Sequence, residues 1–495
     1  MTDTAASTPG PAEEPAVRPV AHPAAELAGA PASAPAADPL APYDAVLLLS
    51  YGGPRRPEDV LPFMRNATAG RGVPDSRLLE VSGHYQGFGG ASPINARNAE
   101  LRDALRARLA ERGSSLPIVI GNRNWHPFVS QALRELADAG ARRVLALPTA
   151  AFGSYSGCRQ YREDLAGAVA LLADGADGST GEGFEADAAA RVGGDGGAPV
   201  ELTVDKTRPY YNTPGLLRAN VDAIVEAYGA LAEQGVAAAD VRLVLVTHSI
   251  PLGMETGSAP GAGPEGARGT HGASDVDGPT ETGRREPGVA ADLSTEVSYV
   301  AQHEALAAVL VPEVARRLGL ETVEADLVYC SRSGPPQARW LEPDVNDHLE
   351  ALAVGHLTDG STVDRPGGVV VAPFGFISDH MEVVFDLDTE AAQTARDLGM
   401  PYARAATVGT HPAFVDSLVD ILVERAAAAR GEGVRPDSTT GVGPFHTVCP
   451  ESCCRPGPRH PGRPGQPNQH GHHGTDGAGP DSPHPSSSER TRRRN

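Results

Sequence analysis

The sequence predicts an α/β protein built on doubly wound parallel sheet, and three observations carry that reading. Short apolar runs rich in β-branched residues, such as residues 241–247 (VRLVLVT) and 369–372 (VVVA), lack the alternation of a half-exposed strand. They read as strands buried on both faces. These runs alternate with helical stretches at the spacing of βαβ units. The strongest of them end in polar loops carrying His, Asp and Glu, where open α/β sheets place their ligands.

Taken in order, residues 43–50 (YDAVLLLS) form the first strand, broken by Tyr51-Gly52-Gly53-Pro54. A helix over 57–66 follows, with Val60, Phe63 and Met64 on one side. The two glycines are not followed by G-x-G-x-x-G or G-x-x-x-x-G-K, which argues against nucleotide binding. Residues 85–98 read as a glycine-rich loop entering a helix over 95–112, with Ser92 as N-cap and Pro93 in the first turn. A strand at 117–121 leads through N-R-N-W-H-P-F into a helix over 129–139. The strand at 143–148 ends in the small polar loop TAAFGSYSGCRQY. After a Gly/Ala/Asp-rich insertion at 174–200, an amphipathic helix over 216–231 and a strand at 241–247 follow. The latter ends at His248-Ser249-Ile250-Pro251. A second low-complexity insertion, 253–293, is too long for an ordered loop in a compact core. The chain continues through a helix over 297–318, a strand at 325–330, S-R-S-G-P-P, a helix over 345–354 and the strand at 369–372. A strand at 402–407 and a helix over 413–430 close the fold.

The 495 residues carry a formal charge of -21, which argues against a nucleic-acid partner because phosphate binding needs a basic face. Residues 1–42 and 456–495 hold too few large apolar side chains to offset chain entropy and read as disordered tails. No apolar run approaches a membrane span and no signal-peptide pattern opens the chain, so a cytoplasmic location is expected. Lys206 is the only lysine. The five cysteines, Cys158, Cys330, Cys449, Cys453 and Cys454, are an odd number and point to metal or redox use rather than a disulfide framework. Cys330 follows an apolar strand and reads as core. Three clustered cysteines plus a distant one is the count for a [2Fe–2S] cluster or a zinc site, against which stand free thiols on a frayed tail. The histidines of the tail (His460, His470, His472, His473, His484) read as metal scavengers or as filler.

The chemistry concentrates at two strand ends. After the strand at 369–372 come Ser378, Asp379, His380, Glu382, Asp386 and Asp388. Helical spacing puts Asp379, Glu382 and Asp386 on one face, able to handle protons or a hard cation, or simply to form a solvated acidic face. His248 ends the other strong strand. A histidine and a carboxylate meeting across a cleft can exchange protons near neutrality or bind a divalent metal.

The blocks L-L-L-S-Y-G-G-P, G-G-A-S-P-I-N-A, V-T-H-S-I-P, S-R-S-G-P-P, W-L-E-P and G-F-I-S-D-H-M-E-V together resemble the ferrochelatase family, most closely its actinobacterial branch that uses coproporphyrin III. The resemblance spans most of residues 43–430, apart from the insertions. It implies two Rossmann-like lobes with a porphyrin cleft between them: residues 43–125 with 403–430, and residues 126–402. A cysteine-bearing segment, 431–455, follows. It implies insertion of Fe²⁺ into coproporphyrin III, with protoporphyrin IX as the alternative substrate. A chelatase for another tetrapyrrole and a non-catalytic tetrapyrrole carrier stay open. Residue by residue, His248 and Glu382 match the catalytic pair and iron site. Tyr51 matches a tyrosine that approaches the metal from the opposite face. Ser92 and Tyr161 match porphyrin contacts, with His380 and Asp386 supporting the pair from behind. Some members carry a [2Fe–2S] cluster on one internal and three C-terminal cysteines, which implies Cys158 with Cys449, Cys453 and Cys454 here. The expected protein is a monomer whose partners are coproporphyrin III and Fe²⁺, with no nucleic acid and no membrane span.

Overall fold

The computed structural model describes residues 37–69, 73–175, 198–258, 298–332, 338–450 and 453–454. Most of both insertions, both tails, the His-rich tract and residues 333–337 of the S-R-S-G-P-P block lie outside the described residues.

Among the described residues the strands form two four-stranded sheets, parallel throughout. The first has the order β2-β1-β3-β4, built from β1 (Ala45–Ser50), β2 (Ile118–Asn122), β3 (Arg143–Pro148) and β4 (Thr203–Lys206). The second has the order β6-β5-β7-β8, built from β5 (Val241–His248), β6 (Ala325–Cys330), β7 (Gly368–Ala372) and β8 (Tyr402–Arg404). In each sheet the order reverses beside the first strand, at β1/β3 and at β5/β7. Those reversals open a crevice outside the strands' carboxyl ends.

Both faces of each sheet are covered, which is why the strands read as unbroken apolar runs. Val46 and Leu48 of β1 enter the large core that also takes Leu243 and Leu245 of β5. Ala45, Leu47 and Leu49 face a separate core with Leu133 and Leu165, and Val244 and Val246 face a third with Val345 and Leu349. Helices Pro214–Glu233 and Pro412–Ala429 pack so closely that a Cβ on Gly215 would lie 1.8 Å from the Ala413 carbonyl oxygen. Only glycine fits there.

Several expectations change. Strand pairing does not follow the expected lobe limits: β3 and β4 hydrogen-bond into the first sheet, and β8 into the second. Buried parallel strands look alike in sequence, so their partners are not legible from pattern. We propose lobes of about 43–206 and 214–404, with helix Pro412–Ala429 returning from the second to pack on helix Ile94–Glu111 of the first. Residues 85–98 are not all loop, because helix Asp75–Gly87 runs into them. Ser92 does not cap the next helix, which starts at Ile94 without a side-chain cap bond. The loop after β3 contains a π-helix, Tyr155–Arg159, running straight into helix Gln160–Ala173.

The acidic stretch after β7 is also irregular. A single turn, Met381–Val383, passes into a π-helix, Val384–Ala391, and then into Ala392–Asp397. The expected stripe of Asp379, Glu382 and Asp386 therefore does not form. Asp379 precedes the helix and accepts hydrogen bonds from Arg404 and Thr407 at 3.2 Å each. Asp388 is drawn to the same arginine, accepting from Arg404 Nε at 2.6 Å. The wider π-helical repeat instead lines up Glu382, Asp386 and Glu390.

Candidate active site

His248 closes β5 and Glu382 lies in the turn after β7, so the order reversal of the second sheet delivers both to one crevice. His248 Nδ1 lies 2.5 Å from the Ser249 carbonyl oxygen, which can only accept, so Nδ1 carries the ring proton. Nε2 is left facing Glu382 Oε2 at 3.6 Å. His380 Nδ1 approaches the same oxygen at 3.8 Å. The side chains of His248 and Glu382 keep 31% and 43% of their accessibility although protein surrounds them, as on the floor of an open cleft.

Their electrostatics are opposed. Burial pulls the His248 pKa down, but the Glu382 carboxylate outweighs it and the net shift is upward. Burial raises Glu382, but His248, with help from His380, brings it down to about 2. His380 is lowered, chiefly by burial. Asp386 is pushed up to about 7 by burial and by Glu382 and Glu390, against a hydrogen bond donated by Ser331 Oγ. Ser331 holds a left-handed backbone (φ 64°), which aims its hydroxyl at Asp386. The site thus joins an imidazole, a firmly ionised carboxylate and a carboxyl group that titrates near neutrality.

The first sheet supplies a different surface. Tyr51 follows β1, 38% exposed and edge-on to Phe63 with ring centroids 6.2 Å apart. Arg123, just past β2, sets its guanidinium 5.9 Å from the Tyr51 ring centroid and 4.6 Å from that of buried Tyr161. Its Nε donates to Asp164. Ser92 is buried beside the Tyr51–Pro54 turn, its N–H donating to the Pro54 carbonyl at 2.9 Å. A Cβ on Gly53 would lie 2.7 Å from Ser92 Cβ, so the glycine serves a close approach rather than a phosphate.

Helix Asp75–Gly87 links the two surfaces. His84 stacks on Phe385 of the π-helix at 3.9 Å and 10°. Tyr85 is raised well above the ordinary phenol range, first by burial and then by the charges of Glu382 and Tyr51, and its ring lies 6.0 Å from that of Phe63. The sequence reading missed Arg123, Tyr85 and Ser331. Arg123 lay in the noted N-R-N-W-H-P-F block and Ser331 in S-R-S-G-P-P. Tyr85 was hidden inside the supposed glycine loop.

The cysteines form a second centre. Cys158, Cys449, Cys453 and Cys454 line one small cavity together with Lys206. Cys453 and Cys454 Sγ are 3.7 Å apart. Neighbours in an extended chain point to opposite sides. Here Cys453 N–H donates to the Pro450 carbonyl at 3.1 Å, and a left-handed Cys454 (φ 51°) lets both thiols face inward. Arg159 Nη1 donates to the Cys453 carbonyl at 3.2 Å and Arg162 Nη1 to that of Pro450 at 3.1 Å, pinning the segment to helix Gln160–Ala173. The Cys158 pKa is well below the usual thiol range, first through hydrogen bonds from Cys449 and Cys454 and then through Lys206, against burial. Cys330 is buried in the core beside β5, as expected, and its thiol is pushed up by burial. Among the described residues no group of three or more His, Cys, Asp or Glu is arranged to hold a single metal ion.

Fold and site together define a two-lobed α/β enzyme whose crevice gathers imidazole and carboxyl groups at the strand ends of one sheet and aromatic side chains beside the other. A family model described as Ferrochelatase matches residues 43–426, and the chain belongs to that family. A coproporphyrin III ferrochelatase of Streptomyces griseus is 42% identical over 414 residues, 84% of this chain and 94% of the relative. One from Frankia alni is 40% identical over 85% of this chain and 89% of the relative. Among solved structures, SirB from Bacillus subtilis with Fe³⁺ matches at a TM-score of 0.37 and 11% identity, over 78% of this chain and 97% of that one. No helix among the described residues is long and apolar enough to cross a membrane.

Proposed function

We propose that the chain inserts Fe²⁺ into coproporphyrin III, releasing two protons and giving Fe-coproporphyrin III. The observation that carries this is His248 Nε2 facing Glu382 Oε2 at 3.6 Å, with Asp386 behind them and Tyr51 on the other lobe. Metallation removes two pyrrole N–H protons while the cation sheds water. In its neutral form His248 takes a pyrrole proton on Nε2, because Nδ1 is committed to Ser249. Glu382 stabilises the imidazolium so formed and attracts the cation. Asp386, titrating near 7, takes the proton onward toward Glu390 at the exposed end of the π-helix. Tyr51 faces the macrocycle from the first lobe, with buried Ser92 supporting its turn and Arg123, over buried Tyr161, ordering the two tyrosine rings. Substrate identity follows the curated relatives; protoporphyrin IX is the competing substrate.

Four thiols on one cavity fit a [2Fe–2S] group, whose two irons share four thiolates, better than a single ion held at one point. Cys158, Cys449, Cys453 and Cys454 would hold it, and when bound it supplies a one-electron couple and a crosslink. In this reading the thiols tie the C-terminal segment to the π-helix Tyr155–Arg159, and Lys206 and Arg159 shield them from solvent.

The test is an anaerobic assay with Fe²⁺ and either porphyrin, followed by the absorbance change on metallation. Faster turnover of coproporphyrin III, lost in Glu382→Gln, is expected. Faster turnover of protoporphyrin IX would overturn the substrate assignment, and porphyrin binding without turnover would leave a carrier.

A further inference from the structure

The chain uses arginine at every basic position but one, and that exception, Lys206, sits at the cysteine cavity. Its place is fixed by the first sheet, because Lys206 ends β4 and pairs with Ala146 of β3. Nζ donates to Cys158 Sγ at 3.3 Å and to the Thr207 carbonyl at 2.8 Å. Among the described residues no carboxylate takes this ammonium, whereas Arg159 at the same cavity is paired with Glu163 at 2.8 Å. Lysine and arginine are not equivalent here. An ammonium is a compact point charge that fits against one sulfur, while a guanidinium is a broad planar fork.

We propose that Lys206 is the charge partner of the sulfur cluster site, donating to the Cys158 thiolate and biasing a bound iron–sulfur group toward its reduced form. The inference rests on the [2Fe–2S] reading above. Two ferric ions, two sulfides and four thiolates carry a net charge of −2, and one added electron makes it −3. Burying such a charge unpaired is costly. A fixed cation lowers the cost for both states and more for the reduced one. Hydrogen bonds to the sulfurs and local charge are the protein's levers on such potentials.

The experiment uses the full chain, purified anaerobically and reconstituted with iron and sulfide, as wild type, Lys206→Met and Lys206→Arg. Three quantities are read: iron and acid-labile sulfide per chain, the visible circular dichroism of the bound group, and its midpoint potential in a dithionite titration with mediators. Lys206→Met is expected to shift the midpoint to more negative potential, with Lys206→Arg in between. Loss of iron and sulfide in Lys206→Met with retention in Lys206→Arg, both folded by far-ultraviolet dichroism, supports the same role. An unchanged midpoint in Lys206→Met at full occupancy overturns the inference, as does equal loss of the group in both variants. A wild type that takes up no iron and sulfide overturns the cluster reading itself, a separate outcome read from the wild type alone.

Discussion

The crevice and the cysteine cavity both gather metal-seeking side chains, yet they are built in opposite ways. In the crevice, His248, His380 and Glu382 approach at 3.6–3.8 Å, too far for full hydrogen bonds, and the central pair stays 31% and 43% accessible. In the cavity Cys158, Cys453 and Cys454 are 4%, 2% and 1% exposed, brought together from two stretches of the chain. A site that must take a cation and then release it as product needs loose, reachable donors whose protonation can change. A site that keeps its metal needs donors already desolvated and charge-matched. On the reading proposed above, the difference separates metal as substrate from metal as resident group.

The sharpest break comes at Glu382. Replacing it with Gln keeps the shape and removes the charge that stabilises imidazolium at His248. The metallation rate should fall on the order of 10²–10⁴-fold, the range of a lost acid–base partner. Porphyrin affinity, read by fluorescence quenching, should stay within a few-fold, since the aromatic face is untouched. A parallel loss of affinity would place Glu382 in porphyrin binding instead.

Next in size is the contrast among cysteines. Cys158→Ser should strip iron and sulfide from the reconstituted protein and open residues 432–454 to protease. Cys330→Ala should leave the metal content intact and cost about 1 kcal/mol of stability, measured by denaturant unfolding, through a small core void. Equal effects from the two would abolish the distinction between ligand and core thiol.

A third test uses pH. Asp386 has a folded pKa of about 7 against 3.8 in the free state, so folding favours its protonated form. Its contribution to stability is complete below about pH 4 and is lost as pH rises through 7. The melting temperature of Asp386→Asn relative to wild type should therefore climb between pH 4 and 7 and then level. Turnover requires both the Asp386 carboxylate and a neutral His248, so the wild-type rate should rise through the same window more steeply than that of the slower Asn variant, where only His248 still loses a proton. An equally steep rise in both proteins would assign the limb to His248 alone.

These tests bear on residues that were unequally legible. The buried strands, His248 and Glu382 could be read because apolar runs and terminal polar residues are local signals. Glu382 and Asp386 were joined to the wrong partner, Asp379, because a helical repeat was extended back to a residue that precedes the first turn at Met381. β4 (TVDK) was missed because four mixed residues carry no buried-strand pattern, and with it went the location of Lys206. Which strands pair depends on contacts far apart in sequence, so the lobe limits were beyond local reading. The adjacent Cys453 and Cys454 would point to opposite sides of an extended chain, and the left-handed Cys454, which no sequence pattern announces, resolves how both face one cavity.

The smallest expected effect concerns Arg123, which sequence patterning did not single out. Its guanidinium lies over Tyr161 and beside Tyr51 while binding Asp164, so one buried cation orders two rings of the porphyrin face. The backbone next to it is fixed independently: Arg123 N–H donates to the Ser50 carbonyl at 2.9 Å, and Asn124 N–H to that of Tyr51 at 3.1 Å. A conservative change should therefore loosen the rings without displacing the loop. Lys at 123 keeps the charge for Asp164 but loses the planar stack, worth about 1–2 kcal/mol when desolvated. That predicts a KM for coproporphyrin III raised roughly tenfold with kcat nearly unchanged, since the proton-handling face lies on the other sheet. A fall in kcat at constant KM would mean that Arg123 acts on the reacting centre through Tyr51, and the two faces would then be one coupled device rather than a binding surface set against a catalytic one.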